Sequence, residues 1–157
     1  MKDTKEIIQA ADREYINSVF DALMNFQIIE ELLKDCILAS YEILAKTCPA
    51  GLDYNPSKND IKKIENNLGL GGLVGKFEMV TPHKGLCERI LHSAQTRNEL
   101  AHRAAANYLK FPISIGGAES LSLQAEEYRE ASKSANSLYL ELCDVYEEIM
   151  LIHGEKV

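Results

Sequence analysis

Arg97, Asn98 and His102 are the residues whose types and spacing could carry chemistry. They fall in the string Arg97-Asn98-Glu99-Leu100-Ala101-His102, late in a segment from about Thr81 to Asn107 that reads as a helix. Asn98 and His102 are four apart and so lie one turn above each other on one helix face. Arg97 and His102 are five apart, which separates them by roughly 140° around the axis and about 7.5 Å along it. The long guanidinium can swing toward the histidine from the flank, or the arginine of one subunit can meet the histidine of another across a two-fold axis. An imidazole titrates near neutrality and can give or take a proton, while arginine is a permanent forked cation suited to phosphate. The same residues admit a structural reading. Arg97 could pair with a glutamate of the first or last helix, and His102 could be a satisfied core histidine beside Asn98 or simply an exposed one.

Charge is unevenly spread. Residues 76–110 carry Lys76, Lys84, Arg89, Arg97, Arg103 and Lys110 against Glu78, Glu88 and Glu99, a local +3 in a chain of net charge -7. A chain this acidic does not coat nucleic acid by bulk attraction, but a positive patch on an acidic body can hold an anion at one place. On that basis Arg103, Lys84 and Arg89 are the substrate-binding candidates beside a catalytic set of Arg97, Asn98 and His102.

The pattern Arg97-Asn98, three residues, then His102 resembles the signature of HEPN domains, a family named for nucleotide binding in higher eukaryotes and prokaryotes. That family is all-helical, of about this length, and carries its signature on the helix before the last long one. Many members are metal-independent ribonucleases of toxin, phage-defence and RNA-processing systems, acting as dimers whose signature helices face each other. The resemblance implies that Arg97 and His102 are the functional pair and Asn98 a supporting residue, with RNA as substrate, a homodimer as the working form and no cofactor. It also implies an inhibitory antitoxin protein as a partner if the chain is a toxin. HEPN toxins paired with nucleotidyltransferase antitoxins commonly carry Tyr two residues after the histidine. This chain has Ala104 there, and its nearest downstream tyrosine is Tyr108. A second reading stays open: a non-catalytic helical module that binds a protein partner or a nucleotide.

Three long helices are expected to position these residues. The first, about Thr4 to Lys46, holds no Pro or Gly, although a break near Ala10 to Asp12 is allowed by its polar start. Its apolar stripe is Val19, Leu23, Phe26, Leu33, Ile37 and Leu44. Thr47-Cys48-Pro49-Ala50-Gly51 stops it. Asp53 to Ser57 reads as a turn and Lys58 to Asn67 as a short helix. Leu68 to Lys76 invites a phosphate-loop reading, but Leu70 stands where the first glycine belongs, Phe77 replaces the hydroxyl residue and no strand precedes it. A flexible turn is expected instead.

Thr81-Pro82 opens the motif helix. Leu86, Ile90, Leu91, Ala94, Ala101, Ala104 and Ala105 are its expected packing face. A last helix, about Ser122 to His153, carries Tyr128, Ala131, Ala135, Leu138, Leu142, Val145, Ile149 and Ile152 at alternating steps of three and four, and Gly154 ends it. Residues 109–117 cross to it, with a short extended piece allowed. The expectation is an all-α, up-and-down helical bundle of three long helices plus one or two short ones, forming a single domain over residues 1–157.

Cys36, Cys48, Cys87 and Cys143 form no CxxC pair and match no zinc-ribbon spacing, which predicts free thiols in a reducing compartment. His83 with Cys87, or Glu88 with His92, stands at metal-ligand spacing, but neither has a second pair nearby, so no metal is expected. No apolar stretch is long enough for a membrane span, and the N-terminus is charged without a signal segment. The predicted location is the cytoplasm.

Overall fold

A computed structural model describes residues 4–49, 58–66, 68–110 and 114–155. These form an all-α bundle of five helices with no strand among the described residues: α1 (Thr4–Thr47), α2 (Lys58–Asn66), α3 (Leu70–Glu78), α4 (Lys84–Lys110) and α5 (Ile115–Glu155). The predicted turn at Asp53 to Ser57 lies outside the described residues, as does the middle of the crossing at Phe111 to Ile113.

α1 runs without the break allowed near Ala10, because no helix-breaking residue interrupts its 44 residues. It ends where expected. The Thr47 hydroxyl donates to Ile43 O, Cys48 N–H donates to Leu44 O, and Pro49 has no donor to continue. α3 corrects the turn expected over Leu68 to Lys76. Leu70, Leu73, Val74 and Phe77 stand at helical spacing and are all buried, while Gly71, Gly72 and Gly75 lie on the exposed side. Each internal glycine costs up to about 1 kcal/mol against alanine, but burying each of the four apolar side chains contributes about 1.5–3 kcal/mol. Burial wins, and the segment coils.

α4 begins three residues later than expected, at Lys84, because the Thr81 hydroxyl accepts from His83 N–H and Pro82 O from Lys84 N–H to shape the entry. α5 begins seven residues earlier than expected. The Ser114 hydroxyl accepts from Gly117 N–H at 3.1 Å and Ser114 O from Ala118 N–H at 2.9 Å, a cap that carries the helix through Gly116 and Gly117. Gly154 does not stop it; α5 reaches Glu155.

The chain divides into two compact units, to both of which α1, α4 and α5 contribute. Unit 1 comprises residues 1–27 and 93–137, and unit 2 residues 28–92 and 138–157. In unit 1 the buried apolar residues are seven alanines (Ala11, Ala22, Ala94, Ala104, Ala118, Ala125 and Ala135) with Tyr15, Phe26, Leu100 and Leu121. Side chains this small let helix axes come close. Here α1 and α5 run parallel: Glu14 on α1 reaches Ser122 and Arg129 on α5, and eleven residues further along Asn25 reaches Ser132 at 2.8 Å.

Unit 2 has the bulkier core. Ile29, Leu33, Ile37, Ile64, Leu73, Phe77, Ile90 and Leu142 are fully enclosed there. Its α4 and α5 segments run antiparallel, held by Arg89 to Glu141 and His83 to Glu148.

The expected stripes hold in their centres and fail at their edges. On α1, Phe26, Leu33 and Ile37 are buried, Val19 and Leu23 are half-buried and Leu44 is exposed. On α5, Ala135, Leu138, Leu142 and Val145 are buried, whereas Ile152 is exposed. On α4, Leu86, Ile90, Ala94 and Ala104 face inward, but Leu91, Ala101 and Ala105 are exposed and Leu100 is buried in their place. None of the helices is long and apolar enough to cross a membrane among the described residues.

Candidate functional site

The rotation of α4 decides what the motif can do. Leu100 and Ala104 are the buried positions of its C-terminal half in unit 1. Asn98 and His102 lie about 160° around the axis from Leu100, in opposite senses, so both point away from the core. Both are exposed, and Arg97, nearer the buried side, is half-buried.

A tyrosine holds this half of α4 in place. The Tyr15 hydroxyl donates to Ala104 O at 2.6 Å, two residues past His102. The Tyr15 ring stacks on Tyr108 of α4 with centroids 5.9 Å apart and meets Tyr128 of α5 edge-on at 5.6 Å. Burial pushes the Tyr15 phenol well above its ordinary ionisation range, and a hydrogen bond and charge from Tyr128 push it the same way. It therefore stays a donor throughout the physiological range. Sequence reasoning did not single out Tyr15. The signal was a phenol at core spacing between Ala11 and Val19, a place where a buried hydroxyl must find an acceptor.

The motif residues differ in what they already hold. Arg97 Nη1 donates to Asn98 Oδ1 at 3.3 Å. Arg103 sits 3.7 Å from Glu99, a turn away on the same helix. His102 makes no hydrogen bond or ion pair with any described residue, Arg97 included. The residue is exposed on the outer face of α4.

The other two candidates belong to unit 2 and are engaged there. Lys84 donates to Glu78 O, where a cation at the end of α3 meets the unsatisfied last carbonyls. Arg89 makes a forked contact with Glu141 on α5, with Nη1 donating to Oε1 at 2.9 Å. Thus Arg97, Asn98, His102 and Arg103 share one stretch of α4 in unit 1, whereas Lys84 and Arg89 serve to tie elements of unit 2 together.

No group of three or more His, Cys, Asp or Glu able to hold a metal ion is found among the described residues. His83, one of the spacing-based metal candidates, is instead paired with Glu148 at 3.0 Å. All four cysteines are free. Comparison with protein-family models, with curated proteins and with solved structures finds no match to this chain.

Proposed function

We propose that this chain is a metal-independent endoribonuclease of the HEPN type that works as a homodimer, with Arg97, Asn98 and His102 of both copies lining one groove. The observation that carries this reading is an outward seam on α4. Gln95, Asn98, His102, Ala105 and Leu109 follow one another at steps of three and four, the spacing of a helix-pairing face, and every one is exposed. Leu109 is 83% exposed. An antiparallel two-fold pairing about position 100 sets Asn98 opposite His102 of the other copy and Gln95 opposite Ala105, so the seam is complementary to itself. The same operation brings Arg97 near the second copy's Arg103, a crowding of cations that a polyanion relieves.

The chemistry needs nothing beyond these side chains and the RNA. The imidazole of one His102 takes the proton from a 2′-OH, and the freed oxygen attacks the adjacent phosphorus. The P–O5′ bond breaks as the other His102, protonated, gives its proton to the departing 5′ oxygen. Arg97 holds the charge that builds on the non-bridging oxygens, and Asn98 orients the imidazole facing it. The products are a 2′,3′-cyclic phosphate and a 5′-OH. Such an activity suits a toxin or defence role, in which a partner protein restrains the nuclease.

The alternative, a non-catalytic helical module, draws on a different observation: Arg97 is already bonded to Asn98 and Arg103 lies near Glu99. One set of measurements separates the two. Purified wild type is expected to cleave RNA to cyclic-phosphate ends with magnesium chelated, and to run as a dimer on light scattering. Arg97→Ala and His102→Ala, checked for folding by circular dichroism, should each lose at least about a hundredfold in rate. Folded variants that cleave as well as wild type, or a wild type with no cleavage, would refute the nuclease and leave the module.

A further inference from the structure

Unit 1 contains a second surface that the proposed nuclease does not use. The N-terminal part of α1 and the early turns of α5 enclose a groove of about 760 Å³. Its floor is made of small residues, with Ala11 and Ala118 buried and Ala10 beside them. Ile7 and Leu123 stand as apolar walls, the latter 73% exposed. Above the floor sit the carboxylates of Glu14, Glu119 and Glu126 with a single cation, Arg129. That arginine is spent internally, bonded to Glu14 and 3.2 Å from Glu126. Glu119 has no hydrogen-bond or ionic partner among the described residues.

We propose that this groove seats a cationic amphipathic helix of a partner protein, with an aliphatic side chain lodged between Ile7 and Leu123 and lysines or arginines facing Glu119 and Glu126. Three features select that occupant. The lining residues on α5 run from Ala118 to Arg129, a span of about 16 Å at helical rise, or three turns. A helix about 10 Å wide and that long occupies roughly 1,300 Å³, so one sunk to half its depth fills some 650 Å³, close to the space present. Methyl-sized floor residues permit that depth, as they do wherever helices approach closely. The lining carries a formal -2, which repels phosphate backbones and anionic lipid and favours lysine or arginine flanking an apolar stripe.

The experiment titrates the isotope-labelled full chain with an 18-residue amphipathic peptide of leucine and lysine, followed by amide chemical shifts, with a leucine and glutamate peptide in parallel. The expected result is a set of shifts confined to residues 7–14 and 118–129, with no binding of the acidic peptide. Binding should weaken about tenfold or more in Glu119→Lys and in Leu123→Asp, two exposed positions whose replacement breaks no hydrogen bond or ion pair. Shifts scattered over the whole acidic surface, or binding indifferent to both variants, would mean attraction to net charge alone and overturn the proposal. No binding up to about 1 mM overturns it as well. So does a self-association that Leu123→Asp abolishes in the absence of peptide, since a second copy would then be the occupant. Loss of RNA cleavage in the Arg97 and His102 variants leaves this result unaffected, because the two surfaces share no residue.

Discussion

Replacing Tyr15 by phenylalanine removes one atom from the clamp on α4 and leaves its rings in place. The lost contact is the 2.6 Å bond to Ala104 O, inside a buried cluster. Ala104 O keeps its own helical partner, the amide of Tyr108, so no acceptor is orphaned and the loss is that of one net hydrogen bond, about 1 kcal/mol. For a chain of this size that lowers the melting temperature by about 2–4 °C. Tyr15→Ala also removes the contacts with Tyr108 and Tyr128 and leaves a cavity, for a cost of about 3–5 kcal/mol. The pH dependence sharpens the test. The folded chain holds the Tyr15 proton above its ordinary range, so its contribution is complete below pH ~10 and declines as pH rises toward the folded value. Above pH ~10 the unfolded wild type gains about 1.4 kcal/mol per pH unit from releasing that proton, a gain the phenylalanine variant lacks. The two proteins should therefore be equally stable near pH ~11, with wild type ahead at neutrality. Urea denaturation at pH 7, 10 and 11 reads this directly. A phenylalanine variant as stable as wild type at pH 7, or a gap that does not close with pH, would refute the buried bond.

Two further outcomes follow from the same packing. Burial first, then the charges of Asp35 and Cys143, pushes the Cys36 thiol up to about 12, so only about one molecule in ten thousand is a thiolate at pH 8. N-ethylmaleimide followed by mass mapping should leave Cys36 unlabelled in the native protein and label it in urea; native labelling as fast as at Cys48 would contradict this. The Arg89 to Glu141 pair is geometrically good but well exposed on both sides, so a double-mutant cycle with Arg89→Ala and Glu141→Ala should give no more than about 1 kcal/mol of coupling, largely lost in 1 M salt.

The long helices were legible because periodicity survives wherever no glycine interrupts it. The centres of α1 and α5 follow their apolar spacing, with Phe26, Leu33 and Ile37 buried on one and Ala135, Leu138, Leu142 and Val145 on the other. Glycine misled the reading twice. At Leu70–Glu78 the apolar residues already stood at helical intervals, yet three glycines in six residues suggested a turn, and burial outweighed their intrinsic reluctance. At Gly116 and Gly117 the same bias hid the Ser114 cap. The candidate site was legible in residue type and not in orientation. Alanines are poor witnesses to which face is inside: spacing alone puts Ala101 and Ala105 on the packing face, whereas Leu100 holds it. The engagement of Lys84 and Arg89 depends on partners distant in sequence, which no local spacing encodes.

The alanine-lined interior of unit 1 also limits how that half of the protein can change. Truncation scanning, the usual way to weigh an interior position, has a single methyl to remove at seven of its eleven buried apolar sites. Most of the sequence space open there enlarges the residue, and even one added methylene forces neighbouring helices apart. What these positions store is an interaxial distance.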